Sequence, residues 1–161
     1  MSPMETTAVR FGGVVEDGAV ALALKERANI LAMTEDAQAA VLTPREVGGF
    51  PHDMRAALAA RIASLHQEEA LAAAHRERIG DGGYAPLSDP AHPGTTPRDT
   101  ALLSFVDKAA ASPKDMASGD ISALQASGMG DADIVRLCEI IAFLAYQLRV
   151  IAGLRLMGGA P

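Results

Sequence analysis

The stretch Leu137-Cys138-Glu139-Ile140-Ile141-Ala142-Phe143-Leu144 is the most apolar run in the chain, and its reading decides the fold. Just before it stands Gly130-Asp131-Ala132-Asp133, whose aspartates suit the positive end of a helix. Apolar residues continue to about Leu156, so the pattern predicts one long C-terminal helix. Between Leu137 and Leu148 it is apolar nearly all round, which predicts burial on several sides, or partly against another subunit. A bilayer span takes roughly 20 apolar residues, a length this region approaches. Glu139, Gln147, Arg149 and Arg155 interrupt it, however, and charge is costly at the centre of a spanning helix. A soluble core helix is expected, with no membrane partner.

Cys138 is the only cysteine. An intrachain disulfide, a Cys-x-x-Cys redox pair and a cysteine-based zinc site are therefore all excluded. Its apolar neighbours predict a buried thiol of raised pKa and low reactivity. One unpaired cysteine fits a reducing cytoplasm, and no basic segment followed by an apolar stretch opens the chain, so no signal peptide is expected.

Outward from this run the chain stays helical in character. Alanine, leucine and isoleucine supply the apolar content, with only four Phe, two Tyr and no Trp, and no stretch shows β-branched alternation. The expectation is an all-α protein of about six to seven helices, in one domain. Residues 1–17 read as a flexible lead-in, 18–157 as the helical domain and 158–161 as a tail. A net charge of −6, with 14 basic residues scattered among 20 acidic ones, argues against nucleic acid as a partner.

Ala19 to about Leu42 reads as one helix or two, with a break near Asn29 or Thr34. Thr43-Pro44-Arg45-Glu46 has the form of a helix start, cut short by Gly48-Gly49. Pro51-His52-Asp53 opens a helix to about His66 with Met54, Leu58, Ile62 and Leu65 as its stripe. Gln67 to Ile79 is a further helix or a continuation. Tyr84 to Thr95, with three prolines and a glycine, reads as a loop. Thr96-Pro97-Arg98-Asp99 starts a helix through Ala111, and a short one from about Gly119 to Ser127 closes at Gly128.

Three features carry a family likeness: the helices from Arg55 to Arg76 ending in His75; Pro86-Leu87 followed by Thr96-Pro97-Arg98-Asp99-Thr100-Ala101-Leu102-Leu103-Ser104-Phe105; and the cadence from Asp120 through Ser127-Gly128-Met129-Gly130 to Ile134. Together these resemble the carboxymuconolactone decarboxylase superfamily, which includes alkylhydroperoxidase D. The resemblance runs from roughly Leu42 to Met157. It implies an alkylhydroperoxidase D-like helical bundle, a trimeric or hexameric homo-oligomer, and a family-level peroxidase-like oxidoreductase or decarboxylase activity.

The redox branch of that family carries a glutamate, then Cys-x-x-Cys, then a histidine four residues on. Counted back from His75, the thiol positions fall on Leu71 and Glu68, and the relay glutamate on Ala56. Dithiol peroxide reduction needs an attacking thiolate and a resolving thiol, so the resemblance implies a scaffold that has lost this chemistry. The leading expectation is a cytoplasmic structural or partner-binding homo-oligomer, acting beside an intact peroxidase or oxidoreductase. The alternatives are a non-thiol enzyme in which His75, helped by Glu68 or a residue from another subunit, moves a proton on a small organic acid or lactone, and a small-ligand binding protein.

His75 and Glu68 are thus the candidate catalytic pair, seven residues apart and so on one face if the helix is continuous. His66 and Glu69 complete a short polar cluster that does not specify the three converging ligands of a metal site. No metal and no cofactor is expected. Arg149 and Arg155 suit the negative end of the last helix or a subunit interface, with Tyr146 and Gln147 of similar standing, and Leu148 is the residue placed at that interface. His52 and His92 have no partner visible in the sequence.

Overall fold

The structure, a computed structural model, describes residues 2–159; residue 1 of the expected lead-in and residues 160 and 161 of the expected tail lie outside it. It is all-helical, as the composition predicts. Among the described residues it has eight α-helices: α1 (Thr7–Phe11), α2 (Ala19–Lys25), α3 (Ala28–Leu42), α4 (His52–Leu65), α5 (Glu69–Arg76), α6 (Pro97–Ala111), α7 (Ser118–Ala126) and α8 (Asp131–Met157).

The centre of the bundle is α4. Every residue from Met54 to Ala63 is buried, because α3, α5, α6, α8 and the short turn Ala85–Ser88 all pack against it. Small alanines let these neighbours approach closely, and Leu58 and Ile62 fill the space between them. Two arginines sit inside this helix, and each holds a loop. Arg55 donates to the carbonyls of Phe50, Val41 and Val47 at 2.8, 2.6 and 2.9 Å. Arg61 meets both carboxylate oxygens of Asp107 on α6 at 2.5 and 2.6 Å, and reaches the Asp89 and Pro90 carbonyls at 2.6 and 3.2 Å. Buried guanidinium groups persist only where such acceptors surround them.

The long C-terminal helix is present, but its surroundings differ from the expectation. It buries one stripe, from Ile134 and Leu137 through Ile140, Leu144, Leu148 and Ile151 to Leu154. That stripe packs on α1, α3, α4, α6 and α7. Val135, Tyr146, Leu156 and Met157 stay exposed. Burial on several sides is therefore a feature of α4, while α8 is covered on one side only within the chain. By length and composition α8 is long and apolar enough to cross a membrane, and half of that stretch is buried in the bundle.

Three segments depart from the sequence reading. The lead-in is folded: Ser2 and Glu5 form a capping box, the Thr7 amide donates to Glu35 at 2.7 Å, and Ala8 and Val9 of α1 are buried against α8. The Thr43-Pro44-Arg45-Glu46 signature starts no helix. Thr43 instead ends α3, its hydroxyl donating to the Ala39 carbonyl, and the following loop is tied down by Arg55 and by Gly49, whose amide donates to Asp133 at 2.9 Å. The helix from 67 to 79 is separate from α4. Gln67 adopts a φ of 61°, and the Glu68 amide donates back to the Ala63 carbonyl, which closes α4 with a left-handed cap.

Other boundaries agree with the sequence. Thr96 and Asp99 cap α6 reciprocally at 3.1 and 3.2 Å, and Gly128, at φ 89°, closes α7 while the Met129 amide donates to Leu124. The break in 19–42 falls at residues 26 and 27.

Candidate functional site

Glu68 lies just outside α5 with the non-helical backbone angles of its cap (φ −94°, ψ 64°), whereas His75 stands in the last turn of the helix. Their spacing of seven residues therefore does not put the two side chains on one helix face. Glu68 precedes α5, and its carboxylate accepts from Arg155 of α8 at 2.8 and 2.9 Å. Arg155 also donates to the Phe11 carbonyl at 3.1 Å, so this pair joins three distant parts of the chain. His75, by contrast, is only 3 % exposed, and its Nε2 has no hydrogen-bond partner. Burial first, and the positive charge of Arg78 second, push its pKa down to about 4, leaving the imidazole neutral near pH 7.

His75 borders a small cavity of about 40 Å³ with Leu42, Thr43, His52, Ala56 and Arg78. Ala56 on α4 and His75 on α5 are thus brought to one place. Leu71 is fully enclosed in the core. It offers no polar group, and Glu68 is engaged elsewhere. The structure does not bring His75 and Glu68 together: no hydrogen bond joins the two, and each faces different company.

Glu68 borders a much larger space. A groove of about 590 Å³ runs along the exposed side of α8, with Phe105, Met116, Ile141 and Leu148 among its apolar walls and His66 and Arg149 at its edge. Down its α8 side run Cys138, Ala142, Ala145, Arg149 and Ala152 at alternating spacings of four and three, one helical stripe of mostly small residues. Cys138 lies in this groove and is exposed, which corrects the expectation of a core thiol. The apolar residues beside it in sequence point inward at helical spacing, whereas Cys138 points out. Its pKa still rises above the ordinary thiol value, through partial burial and then the neighbouring Glu139 carboxylate. Leu148 is buried within the chain, at the floor of the groove.

The remaining candidates have structural partners. His66 lies 3.2 Å from the Ala110 carbonyl and His52 lies 2.9 Å from that of Pro44. The His92 carbonyl accepts from Arg61. Glu69 pairs with Arg76 on the surface. Tyr146 and Thr34 share a hydrogen bond of 3.0 Å, and fully buried Gln147 donates to Gln38, so both tie α8 to α3. Arg149 donates to the Ala145 carbonyl one turn back. Among the described residues no three His, Cys, Asp or Glu side chains gather as metal ligands would.

The sequence reading passed over Arg55 and Arg61. Their signal was present: they are the only polar residues between Met54 and Ala63, so the helix has no polar face on which to carry them. Such arginines are buried with acceptors or not tolerated at all.

No protein-family model, no curated protein and no solved structure matches this chain.

Proposed function

We propose that this chain is a relative of the carboxymuconolactone decarboxylase and alkylhydroperoxidase D group that acts in the cytoplasm as a structural homo-oligomer, without dithiol chemistry. The observation that carries the reading is the groove beside α8, where exposed Cys138, Ala142 and the rest of a stripe of mostly small residues stand over a buried floor of Phe105, Ile141 and Leu148. A groove with mostly apolar walls suits a docked helix better than a charged solvent-facing surface does. Alanines at 142, 145 and 152 leave room for another helix to approach closely. A second copy of the chain is the occupant, in the trimeric or hexameric arrangement that the resemblance implies. The chemistry supports the same reading. Cys138 is the single thiol, its pKa is raised, and no second thiol stands by to resolve a sulfenate.

Light scattering tests this directly. The wild-type protein is expected at three or six times the 16.7 kDa of one chain, and Ala142→Arg, placed in the groove, is expected to reduce it to single chains with an unchanged circular dichroism spectrum. A monomeric wild type, or assembly indifferent to Ala142→Arg, overturns the interface. Robust dithiol-dependent peroxide reduction overturns the chemical half of the proposal.

A second reading draws on the enclosed, neutral imidazole of His75. In it the chain is a non-thiol enzyme moving a proton on a small organic acid or lactone, with His75 acting alone because Arg155 holds Glu68. Under this reading His75→Ala abolishes turnover of such a compound while assembly persists.

A further inference from the structure

The corner between α4 and α5 holds a polar atom that the bundle does not use. His75 Nε2 is enclosed and unpartnered, and a buried polar group left without a hydrogen bond is costly. The cavity it borders, about 40 Å³, has a wall made of Leu42, Thr43, His52, Ala56, His75 and Arg78. Since about 10–15 Å³ already holds one water, the cavity has room for a small group beyond a single water. Ala56 creates this room, since a longer side chain at that point of α4 would enter the space.

The charge of the wall is one-sided. Its ionisable members, His52, His75 and Arg78, are all basic, and no carboxylate borders the cavity. The Thr43 hydroxyl is engaged by Ala39 and the His52 ring by Pro44. Arg78 makes no ion pair among the described residues, yet its charge is felt at the imidazole. Two polar groups are therefore left over at one small cavity: a buried neutral imidazole and a free guanidinium. Their complement is a compact anion whose oxygen accepts one hydrogen bond and whose charge offsets one cation. Formate, with three heavy atoms, fits the volume, and acetate is the upper limit.

We propose that this cavity is a binding seat for a small monocarboxylate of formate to acetate size, one oxygen accepting from His75 Nε2–H and the charge balanced by Arg78. The seat lies apart from the α8 groove. It shares His75 with the second reading above and supplies the acid class that reading needs, but it asks only for occupancy. Formate binding without turnover of any acid leaves the seat standing and removes the enzyme; turnover without formate binding does the reverse.

The test is a titration of the full chain with sodium formate at constant ionic strength, following the ¹⁵N and ¹H resonances of the His75 imidazole. A saturable shift with a millimolar dissociation constant is expected, corresponding to roughly 4 kcal/mol of binding free energy. Arg78→Gln is expected to weaken binding about fivefold, the scale of one partly exposed charge pair. Ala56→Leu is expected to abolish it by filling the seat, with Ala56→Val as the smaller change should the leucine unfold the chain. No saturable shift by roughly 0.2 M formate, far above a millimolar constant, overturns the proposal. So does an equal shift with chloride, which would reveal ionic strength and a resident water only, or wild-type affinity in Arg78→Gln.

Discussion

Helices α4 and α8 exchange the roles that their sequences suggest. α8 is the more apolar, a 27-residue element whose middle shows almost no polar break, yet only one stripe of it is buried. α4 carries two arginines and is buried through ten consecutive residues, Met54 to Ala63. The difference lies in what surrounds each. α4 has neighbours on every side, and its charged groups find carbonyls and a carboxylate at hydrogen-bonding distance. α8 lies on the outside of the bundle, so Val135, Leu156 and Met157 stay exposed within the chain. Hydropathy records how readily a residue leaves water; it does not say whether there is anything for it to leave water for.

The sharpest way to break this comparison is on α4. Arg61→Met removes a charge in exchange for apolar bulk of similar length, and if hydropathy governed burial it would be harmless. The structure predicts a loss of about 3 kcal/mol, because the Leu87, Asp89 and Pro90 carbonyls and the Asp107 carboxylate lose their donor. Arg55→Met is expected to cost a similar amount through the Val41, Val47 and Phe50 carbonyls. Urea denaturation followed by circular dichroism measures both, and stability unchanged in either variant would remove α4 from the centre of the argument.

The packing of α5 against α4 is probed by pH. His75 titrates near 6.5 when unfolded and about 4 when folded, with burial the main cause and Arg78 the second. Between those values the unfolded chain binds a proton that the folded chain refuses, so this contribution to stability is complete above 6.5 and lost as pH falls toward 4. From pH 7 to 4.5 the loss from this group is about 2–3 kcal/mol. His75→Leu is expected to remove that part of the pH dependence, read as the difference between the two denaturation series. Equal slopes in both proteins would mean the imidazole is not sealed in.

The smallest energetic effect is expected on α8. Ala142 is exposed, so Ala142→Arg should change single-chain stability by less than about 0.5 kcal/mol. Alkylation of Cys138 sharpens the point. The thiol should react in the folded Ala142→Arg protein without denaturant, at rates that climb only above the ordinary thiol range. In the wild-type oligomer the same thiol should be shielded. Equal rates in the two proteins would leave the groove uncovered.

How much of this was legible follows the physics of each signal. Caps and stops are local: Thr96 with Asp99, Gly128, and the aspartates at the start of α8 act within a turn, and all could be read directly. The folded lead-in had a local signal too, Ser2 with Glu5, though α1 persists because Glu35, far along the chain, receives the Thr7 amide. Thr43-Pro44-Arg45-Glu46 failed as a helix start because Arg55 and Asp133 claim the surrounding backbone. The candidate site shows the same division. The lone thiol was readable from residue identity, while His75 meets Ala56 through the packing of α5 on α4, and Glu68 leaves the helix face at a non-helical cap that no residue type announces.

The amino-acid sequence by itself determined the all-helical character, most helix limits and the absence of a second thiol, since these depend on residue identity and on neighbours a few positions away. Which helix is central, where Cys138 points, and what His75 and Glu68 each meet were decided by tertiary packing alone. Those outcomes depend on which surfaces close over one another, and residues more than a hundred positions apart, such as Thr34 and Tyr146, set them together.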